Sequence, residues 1–197
     1  MLTAVIITSI VFLGIAFLLY LVVIFNNLQT VKNNITKAES NIKVLLKQRF
    51  DEIPQLVKIC EEYMGYEANT LKELTNLRNT FNEKIKKDGQ EAIDITEIDE
   101  LDNKLNSQIS KLQAVAENYP TLRASEHFLH LQTRISSLEE QISDRREFFN
   151  ESVNTYNIRI GSLPDMLIAN LLQYKKRALF DIDETNAIIP QTFNSTS

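Results

Sequence analysis

The chain has 197 residues and a formal net charge of −5, with four glycines, four prolines, one cysteine and no tryptophan. So little turn chemistry argues against a β-sandwich or an α/β sheet of this length, and the acidic balance argues against general nucleic-acid binding. The lone Cys60 rules out an internal disulfide and a cysteine-based metal cage. Its place in an apolar helical pattern marks it as a small core residue.

From Met1 to Val31 there is no charged side chain, and Ala4 to Phe25 is almost unbroken apolar sequence. As a helix this run spans ~33 Å at about 1.5 Å per residue, the thickness of a bilayer's hydrocarbon. A cleaved signal peptide would carry a basic start, a shorter apolar run and a small-residue cleavage site. None is present, so residues 1–27 read as a retained anchor held in lipid through residues 4–25. Lys32, Lys37, Lys43, Lys47 and Arg49 follow the run against one acid, Glu39. The positive-inside bias then places a short N-terminus outside and the remainder in the cytoplasm, a single-pass protein of the cell membrane.

Residues 28–180 predict an all-α domain, an antiparallel bundle of about four long helices. The first seam runs Leu28, Val31, Ile35, Ala38, Ile42, Leu45 and Arg49. Pro54, with Asp51 and Glu52 before it, suits the first turn of a new helix, so a reversal or sharp kink is expected near Arg49 to Glu52. A second stripe takes Ile53, Leu56, Cys60, Tyr63, Leu71, Leu74, Leu77 or Arg78, Phe81 and Ile85, closing at Lys86-Lys87-Asp88-Gly89. Drawn as one helix it outruns the first by about a dozen residues, ~18 Å, with Gly65 as the weak point. Thr96 to Asp99 has capping-box spacing and opens a third stripe of Ile98, Leu101, Leu105, Ile109, Leu112 and Ala116. Asn118-Tyr119-Pro120 stops it. Ser125 caps a fourth helix along Phe128, Leu131, Ile135, Leu138, Ile142, Phe149, Val153, Tyr156 and Ile160, which Gly161 to Asp165 ends.

Up-down-up-down order returns residues 161–180 towards the bilayer. There an apolar stretch precedes the basic Lys175, Lys176 and Arg177, which could lie on an anionic leaflet or, as readily, cap the open end of the bundle. Residues 181–197 read as a polar tail.

Several segments resemble the LemA family. Leu46-Lys47-Gln48-Arg49-Phe50-Asp51-Glu52-Ile53-Pro54-Gln55-Leu56-Val57 is similar to its LKRRxDLIPNLV signature. Tyr63, Glu67, Thr70-Leu71 and Arg78 fall at its GYxxHE, TL and AR positions, and Ala116 to Ser125 resembles its AExYPDLKAN segment. Phe128, Leu131-Gln132, Glu139, Arg146, Phe149-Asn150, Val153, Tyr156-Asn157 and Pro164 continue in order, so the likeness covers nearly the whole chain. Gln48, Glu52, Tyr66 and Phe149 depart from the family's Arg, Leu, His and Tyr. The resemblance implies an N-terminal membrane helix, a helical cytoplasmic domain, no accepted enzymatic activity and relatives that include a magnetosome membrane protein. It marks Arg49, Asp51, Pro54, Tyr63, Glu67, Arg78, Tyr119, Pro120, Glu139, Arg146, Asn150, Tyr156 and Asn157 as positions of interest.

No glycine-rich phosphate loop, H-E-x-x-H or G-x-S-x-G stands in the sequence. Glu126, His127 and His130 share a helical turn but lack partners that would complete a metal site. No catalytic, cofactor or metal residue is therefore expected. Arg145, Arg146, Arg78, Glu67 and Glu139 lie on or beside the seams and suit interhelix ion pairs that set register. The expectation is a scaffold or adaptor with unknown protein partners, self-association being one option. The alternatives are a sensor or enzyme with a polar site between helices, built on Arg146, Glu139, Glu67 and Arg78, and a membrane-remodelling factor.

Overall fold

The computed structural model describes residues 1–64, 68–87 and 95–180. Among them lie helices and no strand, the all-α architecture expected: α1 Leu2–Asp51, α2 Ile53–Met64, α3 Ala68–Lys87, α4 Ile95–Ala116, α5 Pro120–Arg123, α6 Glu126–Gly161 and α7 Asp165–Leu171.

Of the reversal or sharp kink expected near Arg49 to Glu52, the reversal does not occur, and the helix shows a one-residue break at Glu52. Glu52 keeps right-handed helical angles (φ −78°, ψ −19°). Its N–H donates to the Arg49 carbonyl at 3.2 Å, and its own carbonyl accepts from Leu56 at 3.1 Å. Pro54 removes a single donor, which interrupts the helix without turning it. The reason is packing: Leu46, Phe50, Ile53, Leu56, Cys60 and Met64 are all buried, three or four residues apart on both sides of the proline. A seam already in register leaves nothing for a turn to gain.

The over-long second helix is thereby resolved. Its stripe belongs to α2, which continues α1, and to α3, which lies back alongside. The ring of Phe81 stacks on that of Phe50 with centroids 4.1 Å apart and planes within 8°. Gly65 falls outside the described residues. An ion pair between Lys84 and Glu97 sets the end of α3 beside the start of α4. Pairs from Glu52 to Arg134 and from Arg49 to Glu139 lay α6 antiparallel to α1 and α2. One half of the molecule is thus a four-helix bundle of α2, α3, α4 and α6. In the other half α1 and α6 continue as a pair, joined by α7.

Most seam residues take their expected places, including all six on α4 and all nine on α6. On α1 the seam shifts to Leu46 and Phe50, with Leu45 only partly buried. On α2, Ile59 and Met64 face inward, while Tyr63 is 38 % exposed. Helix α4 is under way at Ile95, one residue before Thr96. Ser125 stands at the N-cap of α6 with extended angles, although its hydroxyl makes no capping bond. Residues 1–20 are exposed throughout, and the helix that carries them is long and apolar enough to cross a membrane by length and composition. The tail 181–197 lies outside the described residues.

Candidate functional site

Arg49 is forced inward by its place in the seam, seven residues after Ile42 and three after Leu46. Only 1 % of its side chain is exposed, so its charge needs partners at the same level. Helix α4 supplies two: Nη1 donates to Asp102 Oδ1 at 2.8 Å, and Nη2 donates to Asn106 Oδ1. Helix α6 supplies a third, Glu139 Oε2, at 3.1 Å from Nη2. From the far side Arg146 Nη2 donates to the other oxygen of Asp102 at 2.9 Å and pairs with Asp99 Oδ1 at 2.7 Å. A single buried carboxylate thus joins α1, α4 and α6, with one arginine on each oxygen. Such a cluster adds little stability over apolar packing, but it admits one register, because sliding a helix by one turn would strand the charges.

Below this cluster the chain runs extended from Tyr174 to Phe180 along α6. Asn157 grips its backbone at Arg177, accepting from the N–H at 3.0 Å and donating to the carbonyl at 2.9 Å. Asn150 does the same at Phe180, at 2.8 and 3.2 Å. The spacing explains the fit. Seven residues of helix rise about 10.5 Å, and three residues of extended chain cover about 10 Å. Two asparagines seven apart therefore read every third residue of a strap.

Tyrosines fix the strap's start. The Tyr156 hydroxyl donates to the Lys175 carbonyl at 3.2 Å, and burial raises its pKa against the lowering effect of Arg177, so it stays a donor. The Tyr174 hydroxyl donates to Gln29 Oε1 at 2.9 Å, and the Lys32 ammonium lies 4.5 Å from its ring centre. At the other end the Phe180 ring meets Phe149 edge-on at 5.0 Å and lies 5.4 Å from the Arg146 guanidinium. Arg146 thereby links the strap to the buried cluster.

Of the residues singled out from sequence, the structure gathers Arg49, Glu139 and Arg146 in the cluster, and Asn150, Tyr156 and Asn157 under the strap. Asp51 is exposed and pairs with Lys47 at 2.7 Å, and Pro54 is exposed nearby. Arg78 is half-buried on α3, and its Nε has no hydrogen-bond partner among the described residues. Tyr119 and Pro120 stand apart, opening α5. Glu67 lies outside the described residues. Lys175, Lys176 and Arg177 are exposed on the strap, and Arg145 is exposed on α6. Glu126, His127 and His130 are exposed, and no three His, Cys, Asp or Glu side chains gather to hold a metal among the described residues. Cys60 is fully buried, and burial, helped by Glu61, pushes its thiol up to about 11, which leaves it protonated and inert at neutral pH.

Sequence reasoning missed Asp99, Asp102, Asn106 and Phe180. The first three had a legible signal. Asp102 is four residues after Ile98 and three before Leu105, so it occupies the α4 seam itself. Asp99 and Asn106 flank it at helical spacing. Phe180 had none, because its position depends on side chains thirty residues earlier.

The chain is 24 % identical over 200 residues to Magnetosome protein MamQ 2 of Paramagnetospirillum magneticum, covering 91 % of this chain and 74 % of that protein. It is 30 % identical over 95 residues to Magnetosome protein MamQ of Magnetospirillum gryphiswaldense, covering 47 % and 35 %. It is 26 % identical over 163 residues to Protein LemA of Metamycoplasma hominis, covering 83 % and 71 %. The LemA family profile matches residues 38–192, a stretch that holds both the buried cluster and the strap. The chain belongs to the LemA family.

Proposed function

We propose that this chain is a membrane-anchored helical platform that acts by binding proteins, including copies of itself, rather than by catalysis. The observation that carries the reading is the continuity of the first helix. The exposed apolar run and the core of the four-helix bundle lie on one helical path from Leu2 to Met64, with no loop between them. A domain joined by a loop would swivel freely, whereas one joined by a helix is held at a set height and angle above its anchor. Arg49 and Arg146 engage Asp99, Asp102, Asn106 and Glu139, which ties helices together. Kinship with proteins named for the magnetosome is in keeping with a role in assembly. Lysines close behind the apolar run favour a cytoplasmic platform.

Cross-linking of the full chain in its native membrane, followed by mass spectrometry, tests this reading. A recurrent partner or a ladder of self-linked species is expected. Monomers alone, with nothing enriched over a membrane anchor lacking the bundle, would contradict it.

A further inference from the structure

The register of α1 against α6 gives the height of every residue in the lower half. Both helices rise about 1.5 Å per residue, so below the Arg49–Glu139 pair Leu28 comes level with Ile160, and both are buried. One turn further down is Ile24, inside the apolar run yet only 5 % exposed. Helix α6 has ended at Gly161 by that level. What packs on α1 there is α7, with Ile168 and Ala169 turned into the same core.

The opposite side of this segment is uncovered. Leu163, Leu167 and Leu171, four residues apart, are 70 %, 64 % and 82 % exposed. The helix that carries two of them packs on α1, whose Leu19, Val22 and Val23 are also exposed. Above them the strap holds Lys175, Lys176 and Arg177 outward. Arg177 is pinned to Asn157, which the same register puts level with Val31, about 10 Å above Ile24. The layer of headgroups flanking the hydrocarbon is about 5–8 Å thick on each side. The Arg177 backbone stands just above that layer, and long basic side chains reach back into it, so apolar side chains low and basic ones above follow the polarity order of an anionic leaflet.

We propose that Leu163 and α7 form a foot inserted in the membrane interface, with the basic strap residues contacting anionic headgroups. This rests on the reading of residues 4–25 as embedded in lipid. A helix in the bilayer is free to tilt and rotate until something else sets it. A foot beside it fixes both, so the bundle is presented in one orientation.

The test uses the full chain, with Cys60→Ser, in vesicles of phosphatidylcholine and phosphatidylglycerol. Spin labels are placed singly at Leu18→Cys, Leu167→Cys and Leu129→Cys, and collisions with oxygen and with a water-soluble nickel chelate are measured. Label 18 should read as hydrocarbon and label 129 as water. Label 167 should collide severalfold less with nickel than label 129 and more with oxygen, and should shift towards water in vesicles of phosphatidylcholine alone. A watery label 167 beside a hydrocarbon label 18 overturns the foot and leaves the span standing. A watery label 18 overturns both. A label 167 shielded from oxygen and nickel alike means that protein covers the leucines, and the lipid assignment fails.

Discussion

Arg49 and Asp102 meet 2.8 Å apart with almost none of either side chain exposed, fifty-three residues apart in sequence and on different helices. Removing Arg49 leaves Asp102 with Arg146 alone, and removing Asp102 leaves Arg49 with Glu139 and Asn106, so each loss should approach, without exceeding, the value of about 3–5 kcal/mol for a broken buried pair. Arg49→Met and Asp102→Leu should each lower the unfolding midpoint of the full chain sharply in chemical denaturation. The double variant should recover part of that loss, because Arg146 keeps Asp99 and the half-exposed Glu139 can turn to water. Equal and additive losses in the double-mutant cycle would show that the two side chains act independently.

The strap rests on two asparagines. Each forms two hydrogen bonds to one backbone residue, with a net worth of about 0.5–1.5 kcal/mol per bond. Asn150→Ala should free Phe180 and, through its ring, loosen Arg146. Asn157→Ala should free Arg177. Hydrogen exchange at residues 175–180 is expected to rise strongly in either variant while the α4 seam stays protected. Unchanged exchange would mean that ring contacts alone hold the segment.

Much of this was legible beforehand, and the exceptions have physical causes. Apolar periodicity located nearly every buried side chain of α4 and α6, since a long amphipathic helix writes its buried face into spacing. Pro54 misled because a proline reports a missing donor, while only the seam on both sides tells whether the chain turns. Asp102 lay in the α4 seam by its spacing and was passed over because an acid reads as solvent-facing until an arginine is found opposite. Asn150 and Asn157 stood out only through the family likeness. An extended strap held by side-chain amides has no periodicity of its own, so nothing local marks it.

Cys60 makes a pH prediction. Its thiol is raised from 9.0 to about 11 by burial, so the folded chain holds this proton more tightly than the unfolded chain. Its contribution is complete below about pH 9 and is lost as pH rises towards 11. Denaturant midpoints of the native chain should fall more steeply over that window than those of Cys60→Ala, and the two curves should run parallel below it. At neutral pH an aromatic disulfide reagent should label Cys60 only as fast as the bundle opens. Prompt labelling without unfolding would contradict its placement in the core.

Above all, one helix must carry the bundle straight out of the apolar N-terminal run. The distance between spin labels at Asn33→Cys and Lys58→Cys, in the full chain with Cys60→Ser, tests this directly. An unbroken helical path separates these positions by about 38 Å, and a single narrow peak near that value is predicted. A reversal between Arg49 and Pro54 would fold them to about 20 Å apart. A peak at the shorter distance would contradict the architecture, and with it the rigid mounting on which the proposed platform stands.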